Sequence, residues 1–196
     1  MTDLEELHHL YRSRYENVLK QTAQKLEQQL QDHLEDIPRI DRISARAKSV
    51  DRFLQKAVKQ EDDELKYTDP INQIQDQIGA RIVTFYLDDI NRVSEEVEGY
   101  YRSIETQIIV PDSESEFGYF GKHYIFLLPE ELLEESCSEQ TPDFFELQIK
   151  TLFQHAWGEA EHDLGYKSQT QVTKEEKRKI AFTAAQAWGA DEIFWV

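Results

Sequence analysis

At 196 residues the chain is long enough to bury a core of its own, and 39% hydrophobic with 11% aromatic residues argues for packing rather than disorder. It contains no apolar run of about 18 residues and no charged-then-apolar leader, so neither a membrane span nor a secretory signal is expected. One cysteine, Cys137, cannot form an internal disulfide, and its acidic surroundings (EELLEESCSEQ) disfavour a reactive thiolate; a cytoplasmic protein is expected. The net charge of −17 counts against broad nucleic-acid binding but leaves room for a local phosphate site.

In chain order, residues 2–35 read as one amphipathic helix. Leu4, Leu7, Tyr11, Tyr15, Val18, Leu26, Leu30 and Leu34 recur at steps of three or four, with Thr22 bridging a gap, and Pro38 ends the helix. The stretch RISARAK alternates and suits a strand. Ser49 is a candidate N-cap for a helix reaching about Lys59. Asp69-Pro70 resembles a cap followed by proline at the first helical position, opening PINQIQDQI. After Gly79, ARIVTFY is β-branched and aromatic, as a buried strand is. Asp88-Asp89 start a helix to about Tyr101. IETQIIV, KHYIFLL and DFFELQIKT are expected strands, and LFQHAWGEAEHDLGY and 174–193 expected helices. Runs of both kinds without strict alternation indicate an α+β domain with a mixed sheet.

The basic residues are unevenly placed. Between Arg39 and Lys59 lie seven cations and two carboxylates, a local +5 in an acidic chain. Lys48, Arg52, Lys56 and Lys59 fall on one helical stripe, with Arg46 just upstream. Unbalanced cations on one stripe repel each other unless an anion joins them, so the stretch is either a solvated basic face or a polyphosphate cradle. Asp76, leading into the buried strand beside Gly79, is either a turn residue or a ligand for magnesium, which binds one or two carboxylates plus substrate phosphates. On DFFELQIKT, the pleat sends Phe145, Leu147 and Ile149 one way and Glu146, Gln148 and Lys150 the other, as an apolar core face and a polar row. The loop FGYFGKHY offers Tyr119, Lys122 and His123, and a tyrosine held there can stack on a base. His155, Glu159 and His162 share a helix face; hydrogen bonding to the sheet and a transition-metal site are both open to them.

Four segments, RAKSVDRFLQKA, DQIGARI, FGYFGKHYI and FELQIKTLFQHAWGEAEHDLGYK, lie within residues 42–167. In that order they resemble the synthetase domain of the RelA/SpoT family, which makes the alarmones (p)ppGpp; the last segment is the most specific. The resemblance implies one synthetase domain over residues 1–196: an N-terminal helical segment (1–37), a catalytic core (42–167) and a C-terminal helix (174–196). It implies a nucleotidyltransferase-like mixed sheet flanked by helices. The implied activity is magnesium-dependent transfer of pyrophosphate from ATP to the ribose 3′-hydroxyl of GDP or GTP.

By position, Arg46 and Arg81 would flank the adenine, with Lys48 and Lys56 on the phosphates and Ser49 and Arg52 completing the ATP side. Asp76 and Glu146 would hold magnesium, with Glu146 at the 3′-hydroxyl. Tyr119 would stack on guanine, with Lys122, His123, Gln148, Lys150 and His155 on the acceptor side. The departures also lie on that side. The family's GYxSxH loop here reads Gly118-Tyr-Phe-Gly-Lys-His123, Ser115-Glu116-Phe117 lacks the lysine of many members, and Lys150 replaces a usual arginine. An adenosine nucleotide or the tRNA 3′ CCA end, the acceptors of toxin-type relatives, therefore stay open, as does a silent nucleotide- or partner-binding module. A stand-alone synthetase or a fragment of a longer protein is expected, and self-association is expected because small relatives often form homo-oligomers.

Overall fold

Two segments far apart in the chain, Ile78–Thr84 and Phe144–Thr151, alternate large apolar residues with polar or small ones, and this alternation organises the fold. In the computed structural model, which describes residues 4–109, 121–133, 140–167 and 173–194, they lie side by side at the centre of a five-stranded sheet.

The elements run α1 (Leu4–Arg14), a π-helical turn (Tyr15–Leu19), α2 (Lys20–His33), β1 (Ile40–Ala47), α3 (Val50–Ala57), and a small hairpin of β2 (Gln60–Glu61) and β3 (Glu64–Leu65). Then follow α4 (Pro70–Gln73), a 3₁₀ turn (Gln75–Gln77), β4 (Ile78–Thr84), α5 (Leu87–Tyr100), β5 (Ser103–Ile109) and β6 (Gly121–Leu127). A second 3₁₀ turn (Glu130–Leu132), β7 (Phe144–Thr151), α6 (Leu152–Lys167) and α7 (Lys174–Ile193) complete the order. The main sheet reads β1-β4-β7-β6-β5, with β4 and β7 parallel and every other pair antiparallel. The mixed α+β architecture expected from the sequence is the one observed. No helix among the described residues is long and apolar enough to cross a membrane.

One face of the sheet carries Ile78, Ala80 and Ile82 from β4 and Phe145, Leu147 and Ile149 from β7, all buried. Against them pack Leu26 and Leu30 of α2 and Val93 and Val97 of α5, with Tyr124 and Phe126 of β6 extending the same core. Fully burying one such side chain contributes about 1.5–3 kcal/mol. The opposite face of β4 and β7 is polar and half-open.

Several boundaries differ from the sequence expectation for local reasons. The first helix is interrupted by the π turn, which inserts one residue into the periodicity; Val18, Leu19, Thr22 and Ala23 are consequently all buried. Thr22 Oγ1 donates back to the Val18 carbonyl at 3.0 Å. Ser49 and Asp69 occupy N-cap positions, but neither side chain makes a capping bond. α3 stops at Ala57, leaving Lys59 beyond the helix and exposed. β4 stops at Thr84 because Tyr86 becomes the N-cap of α5, where the Asp89 carboxylate accepts from the Tyr86 backbone N–H at 3.2 Å. That buried carboxylate also receives Arg39, at 2.6 Å from Nη2.

The first helix braces the elements that lead into the polar face. Tyr11 stacks on Phe53 of α3, with centroids 3.6 Å apart and planes 3° apart, and its hydroxyl donates to the Lys48 carbonyl at 2.8 Å. The buried Arg14 donates to the carbonyls of Gln140 (2.5 Å) and Ile71 (3.1 Å) and to Gln77 Oε1 (2.9 Å). Since each buried acceptor left unsatisfied costs about 1–3 kcal/mol, we expect Arg14→Met to lower the unfolding free energy by about 2–5 kcal/mol in a urea titration. A loss below about 0.5 kcal/mol, the range of an ordinary surface change, would show that Arg14 is not a brace.

Candidate active site

The polar face becomes a groove because of what the strand register sets opposite what. Arg46 pairs with Gly79 and Gly79 with Glu146, giving one row across β1, β4 and β7. The adjacent row is Ser44, Arg81, Gln148 and His123. All of these except His123 line an open cleft of about 540 Å³, closed at one end by Lys48, Ser49 and Arg52 at the start of α3 and by Asp76. Gly79 occupies the floor between Arg46 and Glu146, and a Cβ there would meet nothing within 4 Å: it would project into the cleft.

Asp76 sits in the 3₁₀ turn before β4 and receives two lysines on one oxygen. Lys48 Nζ is 2.9 Å and Lys56 Nζ 3.0 Å from its Oδ2. Burial pushes this carboxyl up, but the two ammonium groups outweigh burial and hold it below the ordinary aspartate value. Its other oxygen, Oδ1, is buried with no hydrogen-bond partner.

On β7, Glu146 is also largely enclosed. His123 Nδ1 lies 3.2 Å from its Oε1, and Gln148 Nε2 donates to its Oε2 at 3.2 Å. Burial raises the Glu146 carboxyl and the nearby Asp76 charge adds to that; the His123 and Gln148 contacts prevail and leave it lowered. The charged part of the His123 contact holds only while the imidazole is protonated.

Arg81 is pinned from α6, with Nη1 2.5 Å from Glu159 Oε1 and 3.3 Å from His155 Nδ1. His155 and Glu159 thus turn together toward the sheet through the guanidinium. Burial lowers the His155 imidazolium, and the neighbouring Arg81 charge lowers it further. Lys150, 5% exposed, is pushed down to about 8 by burial first and by Arg81 second.

Most of the residues singled out in the sequence therefore converge: Arg46, Lys48, Ser49, Arg52, Asp76, Arg81, Glu146 and Gln148 line one cleft. Lys56 joins through Asp76, His123 through Glu146 and His155 through Arg81. Lys122 does not join them. It belongs to β6 rather than to a loop, and the pleat sends it to the opposite face from His123, with its ammonium 5.2 Å from the Tyr124 ring centroid. Tyr119 and Cys137 lie outside the described residues, as does the side chain of His162.

Two contributors were not anticipated as such. Tyr15 lines the cleft from the π turn, and Glu159 serves as the anchor of Arg81. The i, i+4 spacing of His155 and Glu159 was the available signal for a shared target, but only the fold supplies that target.

The paired lysines give Asp76 a definite acid response. Its stabilising contribution is complete above the ordinary aspartate value of about 3.9 and disappears as pH falls through the lower value of the folded state. We expect Asp76→Asn, which leaves Lys48 and Lys56 facing each other, to be less stable than the parent at pH 7. Its stability should also fall less between pH 5 and pH 3; an unchanged acid profile in urea titrations would refute the pairing.

Residues 45–171 match the region found in RelA / SpoT proteins. GTP pyrophosphokinase YjbM from Bacillus subtilis (strain 168) is 27% identical over 169 residues, covering 83% of this chain and 74% of that relative. The crystal structure of the small alarmone synthetase 1 from Bacillus subtilis superimposes with a TM-score of 0.70 at 25% identity, over 96% of this chain and 92% of that one. The same synthetase bound to its product pppGpp superimposes with a TM-score of 0.66 at 25% identity, over 96% and 92%. With the family region running from the end of β1 through β4 and β7 to α6, the chain belongs to the RelA/SpoT family.

Proposed function

We propose that this protein transfers pyrophosphate from ATP to the ribose 3′-hydroxyl of GDP or GTP, giving (p)ppGpp and AMP. The observation that carries this reading is the division of one cleft: a cation-rich end built around Asp76, and a carboxylate–amide–imidazole group built around Glu146. The names of the relatives, a GTP pyrophosphokinase and a synthetase whose product is pppGpp, support the same chemistry.

On the donor side, Lys48, Lys56 and Arg52 would hold the triphosphate, with Ser49 beside it. Arg46 and Arg81 would flank the adenine, the latter kept in place by Glu159 and His155. Asp76 Oδ1 is a buried anionic atom without a partner, and Glu146 lies near enough for its own carboxyl to be raised by the Asp76 charge. These two carboxylates fit magnesium, which takes one or two carboxylates together with substrate phosphates. The chemistry that bound magnesium would supply is neutralisation of the phosphate charge.

In the transfer, the 3′-oxygen forms a bond to the β-phosphorus while the bond from that phosphorus to the α,β-bridging oxygen breaks. The electron pair leaves on that oxygen as part of AMP. The hydroxyl proton passes to the Glu146 carboxylate, whose lowered pKa keeps it ionised at neutral pH. Gln148 and His123 orient that carboxylate by occupying its two oxygens, and Lys150 would supply positive charge toward the acceptor phosphates. No covalent intermediate is needed; position and charge carry the reaction.

We expect label from γ-labelled ATP to appear on GDP or GTP at the 3′ position, and Glu146→Gln to slow this by about 10²–10⁴-fold. Label on deacylated tRNA or an adenosine nucleotide instead would reassign the acceptor, and ATP binding without any transfer would favour a silent module. A second variant separates site from scaffold. Gly79→Val should be at least as stable as the parent, because glycine in a strand interior is the weaker choice. Yet it should lose about tenfold or more in kcat/KM, equal to about 1.4 kcal/mol of transition-state stabilisation. Full activity in Gly79→Val would show that no substrate approaches the floor of the groove.

A further inference from the structure

A second cavity, of about 180 Å³, lies away from the groove among α5, α6 and α7. Its walls include Leu87, Gln154, Trp157, Ala187 and Trp188, with Asp191 at its inner side. Asp191 is 3% exposed. The Thr151 hydroxyl donates to its Oδ2 at 2.8 Å, and that hydroxyl is held in turn by the Gln154 backbone N–H at 3.1 Å. The carboxylate is therefore oriented from the end of β7. Its other oxygen, Oδ1, is buried and has no hydrogen-bond partner.

Burial, assisted by the charge of Glu192 and opposed by the Thr151 hydroxyl, raises the Asp191 carboxyl to about 6, so it is mainly ionised at neutral pH. Glu192 also lines the cavity. Among the described residues, no lysine or arginine forms an ion pair with Asp191. A buried carboxylate is ordinarily paired or bound to a cation, and this one belongs to a protein of net charge −17 that concentrates cations around it.

The chemistry of the walls narrows the cation. Indole faces attract organic cations and tolerate alkyl chains. Trp157 is fixed by its N–H, 3.2 Å from Thr183 Oγ1, and Trp188 is 44% exposed. A hydrated divalent metal would need several oxygen ligands, whereas here Asp191 is the one buried carboxylate, Gln154 Oε1 already accepts from the Thr151 backbone N–H, and Glu192 is exposed. At about 180 Å³ the cavity is also smaller than the roughly 300–1,000 Å³ of sites for drug-sized ligands, which excludes a nucleotide. We propose that this cavity binds a small free primary alkylammonium cation, its ammonium on Asp191 Oδ1 and its chain against Trp157 and Trp188.

Two of the three tryptophans line the site, so the full chain can be titrated by intrinsic fluorescence at constant ionic strength. We expect n-butylammonium chloride to give a saturable change. 1-Butanol and sodium butyrate, which match its chain without its charge, should bind at least tenfold more weakly. Asp191→Asn should weaken n-butylammonium at least tenfold. Ala187→Leu, which keeps the carboxylate but fills the cavity, should abolish the response with an unchanged melting temperature, and it carries the test if Asp191→Asn does not fold. Equal responses to n-butylammonium and 1-butanol would overturn the site, as would undiminished binding by Ala187→Leu. Tighter binding of Nα-acetyl-lysine amide than of n-butylammonium would overturn the free-amine assignment and give the site to a protein lysine.

Discussion

The parallel pairing of β4 with β7 is the constraint from which core and cleft both follow. These strands are separated by a helix and two further strands, yet their register sets Gly79 against Glu146 and Arg81 against Gln148. The same register aligns Ala80 with Leu147 and Ile82 with Ile149 on the other face. Because side chains alternate across a strand, a one-residue slip would expose the apolar set and bury the charged one. Burial of the core face therefore positions the residues proposed for chemistry as firmly as it stabilises the sheet. The polar face inherits its geometry from hydrophobic packing that none of its own side chains supplies.

The basic stretch from Arg39 to Lys59 serves more than one purpose. Arg39 is committed to the capping carboxylate of α5, and Arg42 pairs with Asp41 at 2.7 Å. Lys59 lies past the end of α3. What remains at the cleft is a narrower set: Arg46, Lys48 and Arg52 along its lining, and Lys56 reaching Asp76 from α3. Asp76 offsets the repulsion between two of these cations while keeping one oxygen buried and without a partner. The cleft is thus balanced for the folded chain and retains anionic and cationic groups that a metal–polyphosphate ligand would engage together.

The first helix connects these two features. Through Tyr11 it holds Phe53 and the Lys48 carbonyl, and through Arg14 it holds the turn that delivers Asp76 by way of Gln77. The π turn that follows places Tyr15 at the cleft while sending Val18 and Leu19 into the core. A regular helix could not serve both directions with this spacing. An element with the sequence character of a solvated amphipathic helix is consequently part of the site's frame.

Local periodicity was enough to order the main helices and strands, because periods of 3.6 and 2 are properties of the backbone itself, but it missed the π turn and the small hairpin of β2 and β3. It also separated Phe145, Leu147 and Ile149 from Glu146, Gln148 and Lys150, since the pleat is obeyed wherever a strand forms. The long segment around Glu146, together with the basic stretch, was sufficient to suggest the family. Partnerships were another matter. That Arg81 is anchored by Glu159, that Lys48 and Lys56 share Asp76, and that His123 meets Glu146 depend on register and on contacts between distant segments. The cavity at Asp191 has the same origin, for nothing along the chain links that carboxylate to Thr151 or to Trp157. Local sequence sets which way a side chain points from its own strand or helix; only long-range packing decides what it meets there.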